Sequence, residues 1–213
     1  MTPSTTQLLL LLVVLTDFAV LGTSRLSACI RWMAVQGAIL GLLPLADAGD
    51  ITIHGYALAV GTVLVKALLL PGFLKWAIRE AAIRREVEPL VGYMTSMLLG
   101  AAALGAAFAI ASTTRAFPRH DLVVPVALVT VMIGLVVLIT RAKAISQVVG
   151  YIMLENGVYL FGLTLSRRVP FLVEVGVLLD VFVGVFIMGI VVFHINREFD
   201  SISAANLNEL RES

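Results

Sequence analysis

Leu122-Val-Val-Pro-Val-Ala-Leu-Val-Thr-Val-Met-Ile-Gly-Leu-Val-Val-Leu-Ile-Thr140 holds no charged side chain, and Arg141-Ala-Lys143 closes it. A helix that crosses a bilayer needs about 20 mostly apolar residues. This run, which marks an expected span of roughly 121–140, meets that requirement. Working outward, six more stretches do so: roughly 5–23, 26–45, 52–74, 90–112, 145–165 and 170–194. The breaks between them have physical causes. Ser24-Arg25 separates the first two stretches, and Asp47-Ala-Gly-Asp50 the next two. Arg79 to Pro89 is the most charged linker, and Pro89 and Pro170 each suit the first turn of the helix that follows. The chain reads as all-α, a polytopic membrane protein of about seven transmembrane helices.

Composition agrees. Of the 213 residues, 60% are hydrophobic and 14% charged. Soluble domains average about 45–50% apolar and about 25% charged. Lipid is therefore the expected solvent. A net charge of +1, with no basic–aromatic face, gives no reason to expect nucleic acid. The single cysteine, Cys29, cannot form a disulfide within the chain and reads as a small apolar helix residue. His54, His120 and His194 are scattered, so no metal site is expected. No nucleotide, flavin or iron–sulfur motif is present, and no nucleophile has a base in reach. No cofactor and no catalytic residue are assigned to this chain.

The start, Met1 to Gln7, has no Lys or Arg before the first apolar run, so a retained helix is expected rather than a signal peptide. With the N-terminus outside, ten basic residues fall on the inner side and four on the outer. Basic loops stay in the cytoplasm. The expected location is the cell membrane, with the N-terminus outside and the C-terminus cytoplasmic. The chain divides into a four-helix N-terminal region, 1–112, and a three-helix region with a short cytoplasmic tail, 113–213. In the fourth helix, Ala101/Gly105 and Ala103/Ala107 are small-residue pairs that allow close helix packing.

Four ionisable residues fall inside expected spans: Asp17, Lys66, Glu155 and Asp180. A charge at mid-bilayer costs at least ~2.5–3.5 kcal/mol. Such residues are not there for stability. At 1.5 Å per residue, Glu155 and Asp180 each lie about 15 Å deep, on adjacent antiparallel helices. Low dielectric penalises the charged form of an acid, and a second acid nearby adds to the penalty. Acids so placed can load and release protons near neutral pH. Tyr151, Glu155 and Tyr159 share one helix face at i, i+4 spacing, with Asn156 adjacent, and these groups can hold relay waters. Gly176, Asp180 and Gly184 form a stripe on the last helix. Asp17 and Lys66 lie roughly 8–10 Å from the cytoplasmic ends of their helices, where an ion pair or a relay element would each fit. Lys66 could instead extend toward the headgroups. Glu174 reads as solvated near the outer surface. Gln36 reads as a partner in an interhelical hydrogen bond. The bland alternative for Glu155 and Asp180 is a pair of neutral, hydrogen-bonded packing residues.

These residues carry a resemblance. Val149-Gly-Tyr-Ile-Met-Leu-Glu-Asn-Gly157 resembles the signature helix of the hydrogenase-4 component E family. Pro170-Phe-Leu-Val-Glu-Val-Gly-Val-Leu-Leu-Asp180 and Asn206-Leu-Asn-Glu-Leu210 resemble its ending, and Lys66-Ala-Leu-Leu-Leu-Pro71 its third helix. The last three helices are also similar to the K subunit of respiratory complex I, where two membrane glutamates on successive helices serve the proton route. Asp180 matches the second of these with Asp in place of Glu. Glu155 lies three residues beyond the first. That shift keeps about the same helix face and moves the carboxyl by about 4.5 Å.

The resemblance implies a non-redox membrane subunit of a complex I-like [NiFe]-hydrogenase or formate hydrogenlyase-type complex. Its buried carboxylates would contribute to proton translocation. The implied partners are antiporter-like membrane subunits and a peripheral [NiFe]-hydrogenase arm, which would hold the metal centres. The alternatives are a subunit of a multisubunit cation/proton antiporter, a scaffold without transport role, and a free-standing transporter. The last would show an inverted repeat, and none is evident.

Overall fold

The computed structural model describes residues 3–47, 53–80, 90–113 and 122–165, with 182–184, 186 and 189. The described residues form α1 (Pro3–Gly22), α2 (Leu26–Asp47), α3 (Ile53–Thr62), a π-helical segment (Val63–Leu69), α4 (Leu70–Glu80), α5 (Tyr93–Thr113), α6 (Val123–Thr140) and α7 (Ala144–Leu165). The protein is an all-α polytopic membrane protein. Among the described residues, five stretches are long and apolar enough to cross a membrane: Thr5–Gly22, Leu26–Leu45, Ala59–Arg79, Tyr93–Thr113 and Val123–Thr140. α7 has 22 residues, with Gln147, Glu155 and Asn156 among them. The expected span 170–194 lies outside the described residues apart from positions 182–184, 186 and 189.

The third expected span is not a uniform α-helix. Its centre is wound as a π-helix, and the Leu70 amide donates to the Val65 carbonyl, five residues back. Pro71 supplies a physical reason. It has no N–H to give, and in α geometry its ring would crowd the carbonyl four residues back. A wider turn relieves that crowding. π-helical turns are rare and frequently mark functional sites. This one has Lys66 at its centre.

Helix contacts depend on missing side chains. A Cβ at Gly37 on α2 would fall 2.7 Å from the Lys66 carbonyl carbon, and one at Gly41 would strike Val63. The backbone of α2 therefore lies directly on the π-helical segment. α6 and α7 form an equally close hairpin. A Cβ at Gly150 would sit 2.5 Å from the Leu138 nitrogen, and one at Gly157 2.6 Å from the Val131 nitrogen. Such small-residue seams are how helices approach in lipid, where apolar burial gives little drive. Of the two small-residue pairs on α5, Ala103 and Ala107 are buried, whereas Ala101 is exposed and Gly105 has open space around it. Cys29 is buried in the apolar core, as its reading as a packing residue requires.

One end of the bundle is held by Arg141, buried in the α6–α7 turn. Its Nη2 donates to the Leu21 carbonyl at 3.1 Å, in the last turn of α1, and its guanidinium lies 5.6 Å from the centroid of the Tyr93 ring. A cation suits a helix C-terminus. Burial pulls the guanidinium below the ordinary arginine value, though arginine still holds its proton.

Two apolar clusters fill the interior. One gathers Leu21, Ile30, Met33, Leu74, Ile133, Val149 and Met153 among others. The second gathers Leu10, Val13, Leu40, Val126 and Leu160. Along α1, α2 and α7 in turn, the residues between the two clusters are Thr16-Asp17, Gln36 and Glu155-Asn156, and on α6 Thr130 follows Val129 at the near edge of the first cluster; all are buried.

Gly150→Val should lower the stability of the detergent-solubilised protein by about 1–3 kcal/mol, the usual cost of overpacking a close contact. Gly105→Ala should leave it unchanged. Thermal unfolding of the two variants beside the parent protein checks this.

Candidate functional site: a polar layer across the bundle

The polar residues between the apolar clusters are joined to one another. Asp17 Oδ1 accepts from Gln36 Nε2 at 2.7 Å, and Asp17 Oδ2 accepts from the Thr130 hydroxyl at 2.8 Å. Gln36 Nε2 also donates to Thr16 Oγ1 at 3.2 Å. Gln36 Oε1 accepts from Asn156 Nδ2 at 3.0 Å. The neighbour of Asn156 in the chain, Glu155, accepts from Lys66 Nζ at 2.9 Å through Oε1. The side chains of this ion pair are 3% and 2% exposed. The Lys66 ammonium also lies 5.6 Å from the centroid of the Tyr159 ring, and the Tyr159 hydroxyl is 2.9 Å from Thr62 Oγ1. One layer thus runs from α6 through α1, α2 and α7 to the π-helical segment.

Local sequence sets each position. Thr62 and Lys66 are buried, while Leu64, Leu68 and Leu69 are exposed on the outer side of the same helix. Gly37 lets the Lys66 backbone sit on α2, and its side chain reaches on to α7. A buried pair is costly to assemble and costlier to break. The Asn156 Oδ1 atom is buried with no hydrogen-bond partner among the described residues. Leaving an acceptor unserved costs about 1–3 kcal/mol. A buried, unserved polar atom calls for a physical explanation, such as strain, a catalytic role or a bound water.

The expected site residues separate into three groups. Asp17, Lys66, Glu155, Asn156 and Tyr159 come together in the layer. Tyr151 does not join it by hydrogen bond. It lines an apolar cavity with Leu138, Gln147, Val148, Phe182, Val183 and Phe186. Asp180 and Glu174 lie outside the described residues, so the expected meeting of Glu155 with Asp180 does too. The partner of Lys66 is a correction. The possible ion pair with Asp17 gives way to one with Glu155, and Asp17 is held by neutral groups. The physical reason is Gln36, whose amide fills the place beside Asp17 and links it to α7 instead. The alternative in which Lys66 extends toward the headgroups does not occur either, since the ammonium is buried against Glu155.

Thr130, Thr62 and Thr16 did not stand out in the sequence, because a threonine in an apolar helix commonly bonds only its own backbone. Thr130 Oγ1 likewise lies 3.1 Å from the Val126 carbonyl oxygen, which competes with Asp17 for its one hydrogen. No group of three or more His, Cys, Asp or Glu among the described residues could hold a metal ion.

Residues 122–212 match the family described as NADH-ubiquinone/plastoquinone oxidoreductase chain 4L. The match takes in Thr130, Glu155 and Asn156 and leaves out Asp17, Gln36 and Lys66. Over 203 residues the chain is 34% identical to Uncharacterized protein Rv0085 of Mycobacterium tuberculosis, covering 93% of this chain and 92% of that one. Over 152 residues it is 28% identical to Hydrogenase-4 component E of Escherichia coli, covering 70% and 69%. No solved structure matches.

Lys66→Met should cost about 3–5 kcal/mol, because it leaves a carboxylate buried without its cation. Lys66→Met combined with Glu155→Met should recover much of that loss. Thermal denaturation of the single and double variants, each with its assembly checked on a native gel, measures the difference.

Proposed function

Because this chain belongs to the hydrogenase-4 component E family, with a complex I chain 4L-type C-terminal region, we propose that it is a non-redox, proton-handling membrane subunit of a [NiFe]-hydrogenase or formate hydrogenlyase-type complex. The observation that carries this reading is the buried Lys66–Glu155 ion pair, joined in one layer to a second acid, Asp17. Charges in hydrocarbon are expensive and face the bundle interior or water-filled cavities where they serve transport. A scaffold gains nothing from two acids and a lysine in one layer where serine or asparagine would hold the helices.

The layer has the parts a proton route needs. The Lys66 ammonium bonds Glu155 through Oε1 and favours its charged form, so protonation of Glu155 and the strength of that bond oppose each other. Tyr159 and Thr62 stand beside Lys66 with hydroxyls that donate and accept. Asn156 and Gln36 lead from Glu155 toward Asp17. Asp180, in the expected span 170–194, remains the second carboxylate proposed for the Glu155 route. The proposed partners are antiporter-like membrane subunits and a peripheral [NiFe]-hydrogenase arm, and any metal chemistry belongs to them. The proposed setting is the cell membrane, with the N-terminus outside and the C-terminus cytoplasmic.

Purification in mild detergent should bring down antiporter-like subunits together with a nickel–iron protein. Recovery of antiporter-like subunits alone would favour the cation/proton antiporter reading. In vesicles holding the whole complex, Glu155→Gln or Asp180→Asn should reduce proton translocation at least tenfold while the complex still assembles. Full translocation in both variants would leave only a scaffold role.

A cysteine placed at Arg25 should react with a membrane-impermeant maleimide only after permeabilisation of intact cells. One placed at His120 should react from outside. The reverse pattern would invert the topology.

A further inference from the structure

Glu155 and Asp17 are both buried acids, but their surroundings differ in kind. Glu155 faces an ammonium. Asp17 is fully buried, and the groups that hydrogen-bond to it are the amide of Gln36 and the hydroxyl of Thr130, both neutral. An unpaired charge in that position is costly, so a stable site must also suit the neutral acid. Thr130 meets that need. Its Oγ1 lies 2.8 Å from Asp17 Oδ2 and 3.1 Å from the Val126 carbonyl oxygen. A hydroxyl has one hydrogen to give and lone pairs to receive, and it rotates freely. It can donate to only one of these two oxygens at a time.

We propose that Asp17 and Thr130 form a second proton-holding site, in which the Thr130 hydroxyl rotates between Asp17 and the Val126 carbonyl as the acid loses and gains its proton. With Asp17 ionised, Thr130 donates to Oδ2. When a proton arrives on Oδ2 from water in the path, the new O–H donates to Thr130 Oγ1, and the Thr130 hydrogen turns to Val126. One proton is gained by the carboxyl and none by the threonine. The number of hydrogen bonds at the carboxyl is the same in both states, and no heavy atom has to move. Gln36 Nε2 serves Oδ1 throughout. Thr130 is a positioning residue in this scheme, and Asp17 holds the proton.

The ionisable groups around this site are few. α6 carries none. α5 carries Tyr93, which lies at the Arg141 end of the bundle. α2 carries Cys29 and Arg31 in its first turns and Asp47 at its far end. α1 carries no other ionisable side chain. Among the described residues, the Lys66–Glu155 pair connects to the site through Gln36 and Asn156. No described cation competes with Thr130 for the carboxylate.

This inference rests on the proton-handling role proposed above, and its test is separate. Infrared difference spectra of the purified complex, taken between acid and alkaline pH, should contain a protonated-carboxyl band that Asp17→Asn removes. Thr130→Val should move that band to higher wavenumber, because the acid O–H loses its acceptor. Thr130→Ser should leave it near the parent position. Thr130→Ala gives the same readout as Thr130→Val with less crowding, should the valine variant fail to assemble. No Asp17 band at any pH, or a band indifferent to removal of the hydroxyl, overturns the proposal. Failure of Glu155→Gln to affect translocation bears on the proposed function alone and leaves the band intact.

Discussion

The Lys66–Glu155 ion pair constrains the rest of the bundle. Neither charge tolerates hydrocarbon alone, so the π-helical segment and α7 must stay close enough for the Lys66 and Glu155 side chains to meet at 2.9 Å. That demand explains the positions of the glycines. Gly37 and Gly41 seat α2 on the π-helical segment, and Gly150 and Gly157 seat α6 on α7. α2 then lies against both partners of the pair, where Gln36 can bridge Asn156 to Asp17. Apolar clusters on each side of the layer keep the polar groups at one level and separate them from both membrane surfaces. Polar contacts within such a layer reinforce one another, because the low dielectric raises the cost of every unmet partner.

The functional groups draw on both halves of the chain. Glu155, Asn156 and Thr130 lie within the chain 4L match, while Lys66, Gln36 and Asp17 lie before it. The N-terminal helices therefore supply the cation for Glu155 and the second acid. Of the layer's two carboxylates, the matched region contains Glu155, without its counter-charge Lys66 or its connection to α1. The π-helical turn belongs to the same construction. It reconciles Pro71 with a continuous helix, and Lys66 sits at its centre.

Much of this was legible from the sequence, and what escaped has a physical explanation. Runs such as 122–140 announce themselves because a membrane helix must satisfy its own backbone and present apolar side chains all round. The ionisable residues inside those runs were equally visible, since each is an expensive exception. Partner choice was not. Distance along a helix measures depth only if the helix ends are level, and counting from the ends set Asp17 and Lys66 apart from Glu155. The hydrogen bonds place all three in one layer. Tyr151 shows the limit of face arguments. It shares spacing with Glu155 and Tyr159, yet it lines an apolar cavity, because a helix face four residues long curves away from any one contact. Thr130 was silent because its backbone bond to Val126 masks its second partner, which lies far away in the chain.

The central claim is that Lys66 and Glu155 work as one unit in moving protons. Its most direct test is a double-mutant cycle on translocation rate, in vesicles containing the whole complex. The four proteins are the parent, Lys66→Met, Glu155→Gln and the combined variant. If the pair is one unit, either single change removes most of the rate and the double variant is no slower than the worse single. Rates that multiply as for independent sites, or a Lys66→Met protein that pumps at the parent rate, would contradict the account.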